Sequence, residues 1–177
     1  IGGHSSMPQL GRDTITIGAE VVQTLQTIIS RKLASGSGAV VSVTEFISDG
    51  QRNVLPGETI LKGDVRTRLP DDRKKIELYL NQISNGIASA HDIEIEVSFE
   101  TEFIETINHI KPTEAVLKTA KKSGLKVTDC KPMSFSEDFA HFSNAVPGCF
   151  FLLGNGIDGA NNKPLHSSDY DFNDDLL

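Results

Sequence analysis

Four short segments of this chain hold residue types that can do chemistry in settings that leave them usable. Gly2-Gly3-His4-Ser5-Ser6-Met7-Pro8 puts an imidazole in a polar turn, where two glycines permit close backbone approach and Pro8 stiffens the exit. An imidazole so placed can donate a hydrogen bond to a developing oxyanion; the bland alternative is a surface-loop histidine. Asn53-Val54-Leu55-Pro56-Gly57 sets an amide beside a rigid turn, which ordinary turn chemistry also accounts for. Arg66 shares the polar side of an alternating segment with Asp64 and has the fork geometry to bind a carboxylate bidentately. A cross-strand salt bridge on a solvated face is its simpler reading. Pro164-Leu165-His166 follows an apolar run and a loop, where α/β sheets place ligand sites. His166 is a candidate metal ligand there, with Asp169 as a partner that would orient its ring. His91, His109 and His141 have no comparable setting and read as surface or helix-end residues.

The totals exclude several classes. Among 177 residues the net charge is −7, and Lys and Arg form no stripe, which argues against a nucleic-acid partner. No stretch approaches the roughly 20 apolar residues of a membrane span, and no signal peptide is visible. Cys130 and Cys149 do not make a disulfide framework; they read as two reduced thiols of a cytoplasmic protein. Ile1 stands where a Met would start a gene product, so the chain is expected to begin inside a longer one.

The elements that must position these residues are legible up to about residue 103. Val21, Val22, Leu25, Ile28 and Ile29 lie at helical spacing within residues 14–31, and Asp13 stands where an N-cap belongs. Residues 39–47 are rich in β-branched side chains and predict a strand. Asp49-Gly50 and Pro56-Gly57 are turn signals. Residues 58–69 alternate, with Leu61, Val65 and Leu69 opposite Lys62, Asp64, Arg66 and Arg68. Pro70-Asp71-Asp72 opens a second helix carrying Ile76, Leu80, Ile83 and Ile87. His91-Asp92 ends it, and residues 93–99 then alternate strictly, predicting a strand with one wet face. Helix, strand, strand, helix, strand becomes a split β-α-β, ferredoxin-like antiparallel sheet with two helices once a first strand is added. Residues 1–3 would be the tail of that strand.

The rest of the chain predicts a helix at 112–123, a possible strand at 125–127, and a short helix at 136–144 capped by Ser136 with Glu137 and Asp138 in its first turn. Residues 149–153 are continuously apolar and predict a strand buried on both faces. Residues 158–164 form a polar loop. We expect residues 1–110 to form one domain and residues 111–177 to be a partial second, α/β domain.

Taken together the segments resemble the zinc-dependent aminoacylase and carboxypeptidase family with a peptidase dimerisation (lid) domain, in the branch of hippurate hydrolase and auxin-conjugate hydrolases. The resemblance runs through Gly-Gly-His-Ser-Ser-Met-Pro at 2–8, Asp13, Asn-Val-Leu-Pro-Gly at 53–57 and Gly-Asp-Val-Arg-Thr at 63–67. It continues through Ser-Glu-Asp-Phe-Ala at 136–140, Val-Pro-Gly at 146–148, Phe-Phe-Leu-Leu-Gly at 150–154 and Pro-Leu-His at 164–166. Each motif is weak alone; the ordered set is specific.

The resemblance implies hydrolysis of the amide bond of an N-acyl amino acid or small peptide by a homodimer joined through its lids. It implies two divalent metals, usually zinc, with manganese or cobalt as alternatives. His166 matches the last metal ligand of the family. His4 matches the lid histidine that reaches the scissile carbonyl from the partner subunit. Asn53 and Arg66 match positions that hold the substrate carboxylate, and Glu137 matches one near the substrate pocket. The other metal ligands and a glutamate general base precede the lid in the family and are absent from this sequence. Zinc catalysis needs about three protein ligands, so this chain alone is expected to hold no zinc tightly and to be inactive. The competing reading is a non-catalytic dimerisation or binding module, because a split β-α-β fold hosts many functions.

Overall fold

Asp13 starts the first long helix. Its carboxylate accepts from the backbone N–H groups of Ile15 at 3.0 Å and Thr16 at 3.4 Å, satisfying two donors that the first turn leaves orphaned. Helix α1 then runs Thr14–Thr27 and widens into a π-turn at Ile28–Lys32. The computed structural model describes residues 2–133, 135–158 and 161–176. The expectation for Ile1 lies outside these residues, as do Gly159 and Ala160 of the predicted polar loop.

The remaining elements are β1 (Gly3–His4), β2 (Val40–Ser48), β3 (Val54–Leu55), β4 (Thr59–Arg66), α2 (Pro70–His91), α3 (Ile110–Lys122) and α4 (Phe139–Ala145). Strand β2 pairs antiparallel with β4, from Val40 opposite Arg66 to Ser48 opposite Thr59, with a bulge between Val43 and Glu45. Gly63 is required in this ladder, because a Cβ there would collide with the Ser42 carbonyl oxygen. Strand β1 pairs with β3, Gly3 opposite Leu55 and His4 opposite Val54. The protein is a mixed α/β structure with small antiparallel sheets and helices.

The core sits where α1 and α2 cover one face of the β2–β4 sheet. Ile17, Val21, Leu25 and Ile28 meet Val41, Ile76 and Ile87 there, and Ile28 and Ile76 are wholly buried. Gly18 lets the Phe46 ring lie against α1, since a Cβ at Gly18 would stand 2.9 Å from it. The helical period of α1 and α2 predicted these faces, because burial follows the apolar stripe.

Three strand expectations are corrected. Residues 93–99 form no hydrogen-bonded ladder, although Ile93, Ile95, Val97 and Phe99 are half-buried and Glu94, Glu96, Ser98 and Glu100 are exposed. Side-chain alternation follows from partition between core and water; a ladder needs a neighbouring backbone, and none is in register there among the described residues. Residues 125–127 are not a strand either, and Leu125 is exposed. Residues 149–153 form no strand and are not buried on both faces: Phe151, Leu152 and Leu153 are exposed. Asn108 holds this run instead, accepting from the Phe150 N–H at 2.7 Å and donating to the Phe150 carbonyl at 2.8 Å.

The short helix is also corrected. It begins at Phe139 with Asp138 at its cap position, and Ser136 does not cap it. The Ser136 hydroxyl accepts from Arg66 instead.

A buried polar cluster ties α2 to the segment that leaves it. Thr67 donates its hydroxyl to Glu105, and Arg73 Nε lies 3.4 Å from the same carboxylate. The Glu105 side chain is only 6% exposed, and these two partners meet its carboxylate there. No helix among the described residues is long and apolar enough to cross a membrane. Both cysteines are free thiols.

Candidate functional site

Strand β4 ends in Asp64-Val65-Arg66, and its period of two places Asp64 and Arg66 on one side. Arg66 Nε donates to Asp64 Oδ2 at 2.7 Å, a same-strand pair rather than the cross-strand bridge that the sequence also allowed. Arg66 Nη1 donates to Ser136 Oγ at 2.5 Å. The guanidinium is thus aimed by contacts at Nε and Nη1 while its side chain stays 44% exposed, leaving N–H groups for a further acceptor.

Arg66, Ser136, Glu137 and His166 line one trough of about 2160 Å³ that runs between β4 and residues 93–106. Its volume exceeds the roughly 300–1,000 Å³ of a closed small-molecule pocket. The trough is therefore a broad wall, not a finished cavity. His166 sits in it with φ +68°, a left-handed conformation uncommon for a residue with a Cβ. The Ser167 N–H closes a turn onto the Pro164 carbonyl at 3.2 Å beside it.

Asp169 is not bonded to the His166 ring. Its carboxylate takes Lys163 Nζ at 2.8 Å and the Ser167 hydroxyl. These contacts, the lysine first, hold its carboxyl below the ordinary carboxylate range. The expected orienting contact from Asp169 is corrected: its carboxylate is engaged by the Lys163 cation and the Ser167 hydroxyl instead.

His4 and Asn53 lie elsewhere and share one scaffold. The β1–β3 pair sets His4 opposite Val54, and the Ser5 N–H donates to the Asn53 carbonyl at 3.1 Å. Neither residue lines the trough. His4 Nδ1 accepts from the Ser6 N–H at 3.2 Å and stands 2.8 Å from the Ser6 hydroxyl. Because a backbone N–H can only donate, the neutral ring carries its proton on Nε2, which then points a donor outward. That is the tautomer an oxyanion would need.

The five sequence candidates thus fall into two groups, Arg66, Glu137 and His166 on the trough and His4 with Asn53 on the β1–β3 turn. Sequence reasoning missed the Ser136 contact, for which it holds no signal, since the partners are 70 positions apart. It also read Asp49 as plain turn chemistry. Among the described residues, no group of three or more His, Cys, Asp or Glu comes together in a way that could hold a metal ion.

A family model described as a peptidase dimerisation domain matches residues 1–92. The hippurate hydrolase of Campylobacter jejuni is 32% identical over 179 residues, covering 99% of this chain and 46% of that protein. The N-acetyldiaminopimelate deacetylase of Leuconostoc mesenteroides is 32% identical over 169 residues, covering 94% of this chain and 43% of that protein. A crystal structure of a candidate aminohydrolase from methicillin-resistant Staphylococcus aureus superposes with a TM-score of 0.90 at 29% identity, over 97% of this chain and 44% of that one. A Bacillus subtilis protein, described as a dinuclear metal binding peptidase from the M20 family, shares the fold with a TM-score of 0.68 at 23% identity, over 78% of this chain and 36% of that one. The chain spans less than half the length of each of these proteins.

Proposed function

The chain belongs to the peptidase dimerisation domain family of amidohydrolases and metallopeptidases, and on that premise we propose that the whole protein hydrolyses the amide bond of N-acyl amino acids. The observation that carries this reading is Arg66, steered by Asp64 and Ser136 with N–H groups left over, on a trough that Glu137 and His166 also line. A cation with free N–H groups is suited to anchor a carboxylate, and an imidazole along the same trough can serve a metal.

In this reading the Arg66 fork takes the free carboxylate of the substrate, and the Asn53 amide supplies a neutral donor to the same group. Both select for a substrate that has the carboxylate, because a buried polar group left without its partner is costly. His4 Nε2–H stabilises the oxygen that becomes negative as the amide carbon is attacked. Since His4 and Asn53 stand apart from the trough in one chain, they act on the substrate held by a partner subunit of a homodimer, which fits a dimerisation domain.

His166 offers one imidazole to a divalent metal such as zinc. The described residues gather no further ligands around it, so they do not make up a complete metal site. We infer that this 177-residue chain by itself neither retains stoichiometric zinc nor hydrolyses amides; metal analysis of the purified chain tests it. Two free thiols favour a cytoplasmic location.

The full-length protein, supplied with zinc or manganese, should hydrolyse a panel of N-acyl amino acids and lose most activity on the same compounds with the carboxylate amidated. Equal rates on acid and amide would overturn the assignment of Arg66 and Asn53. No turnover of any member would favour the second reading, a dimerisation module, for which the match of the dimerisation domain to residues 1–92 speaks.

A further inference from the structure

The turn that presents His4 and Asn53 is exposed, so something other than the core must hold it. Residues 49–57 leave the end of β2 and return to the start of β4. At the tip, Gln51 and Val54 exchange backbone hydrogen bonds at 3.0 and 3.1 Å. At the base, Asp49 Oδ1 accepts from the Gly57 N–H at 3.0 Å and the Glu58 N–H at 3.1 Å. One carboxylate oxygen therefore closes the loop across its mouth with two charge-assisted bonds.

The loop in turn carries the N-terminal strand. β3 within it pairs with β1, and Gly2 packs so closely on the loop that a Cβ there would stand 2.5 Å from the Leu55 carbonyl oxygen and 3.1 Å from the Gly57 nitrogen. Displacing Gly57 would move β3, and with it the His4 pairing and the Ser5–Asn53 bond. The chain of contacts runs from Asp49 to Gly57, to β3, and from there to His4 and Asn53 together.

We propose that Asp49 is the positioning residue for the His4–Asn53 pair, acting through the Gly57–Glu58 backbone and touching no substrate itself. This rests on the reading of His4 and Asn53 above for its consequence in turnover, but not for its structural content. The Asp49 side chain serves in two ways. It accepts two N–H groups on a single oxygen, and its charge strengthens both bonds. An amide at the same position keeps the acceptor oxygen and loses only the charge.

The test uses the full-length protein carrying Asp49→Ala or Asp49→Asn, with amide hydrogen exchange resolved by residue and steady-state kinetics on an N-acetyl amino acid. Asp49→Ala should speed exchange at Gly57, Glu58 and Ser5 by about ten- to a hundredfold, leaving the β2–β4 amides unchanged. It should lower kcat and raise KM together, because His4 and Asn53 are displaced as a unit. Asp49→Asn should recover most of the protection and most of the turnover. Exchange at Gly57, Glu58 and Ser5 unaltered in Asp49→Ala would overturn the clamp. Faster exchange at Gly57 and Glu58 with Ser5 unaltered would overturn its reach to Asn53. If the three amides respond as expected and His4→Ala leaves kcat intact, the clamp stands and the catalytic reading of His4 is what fails.

Discussion

Arg66 Nη1 donates to the Ser136 hydroxyl across 70 residues of chain, joining the end of β4 to the segment that leads into α4. With Asp64 on Nε, this bond fixes the plane of the guanidinium without exhausting its donors. Arg66→Ala in the full-length protein should therefore raise KM for N-acyl amino acids by about ten- to a hundredfold, the loss of a charge-assisted contact. Arg66→Lys should recover little of it, since an ammonium cannot satisfy Asp64, Ser136 and a carboxylate in one plane. Unchanged KM for acid substrates in both variants would remove Arg66 from the site.

If His4 donates from Nε2 to the oxyanion as proposed, it acts in turnover rather than affinity. His4→Ala should lower kcat by about 10²–10³, the usual cost of an oxyanion donor, with KM nearly unaltered. A change in KM alone would show a ground-state contact.

Glu105 is the buried charge whose loss should be felt in stability. Glu105→Ala leaves the partly buried Arg73 without its counter-ion and frees the Thr67 hydroxyl. Urea unfolding should show a loss of about 1–3 kcal/mol. Glu105→Gln, which can still accept from Thr67, should lose less. Equal midpoints for wild type and Glu105→Ala would show the cluster to be incidental.

Asp169 carries the pH prediction. Its folded pKa lies below the unfolded value of about 3.9, chiefly because of Lys163 and then Ser167. A depressed carboxyl stabilises the fold above the unfolded pKa, and that contribution is lost as pH falls through the folded one. The tether across the His166 turn should thus hold at neutral pH and open only under strong acid. The side-chain carboxyl resonance of Asp169 should titrate below pH 3.9, and Lys163→Met should bring its midpoint upward. A midpoint unmoved by Lys163→Met would assign the shift to another cause.

Much of the fold was legible because it rests on local partition. The stripe of Val21, Leu25 and Ile28 set the buried side of α1, and Asp13 capped it as its position required. The alternation of residues 93–99 appears as half-buried and exposed side chains in strict order. The site was legible only by residue type. Arg66, Glu137 and His166 were all named from the sequence, yet nothing in it places them along one trough, or sets His4 and Asn53 apart from them on a shared turn.

Hydrogen bonding between distant parts of the chain is where the tertiary structure decided. Ser136 reads as a helix cap from its neighbours, but a guanidinium brought to it by the fold takes the hydroxyl. Residues 149–153 read as a buried strand, but Asn108 and solvent are their partners. The sequence by itself determined which side chains seek the core and which helix ends are satisfied locally, since both depend on neighbours within a few residues. Which polar groups meet, and which apolar runs find a ladder, depends on backbones far away in the chain, and only the folded arrangement supplies those.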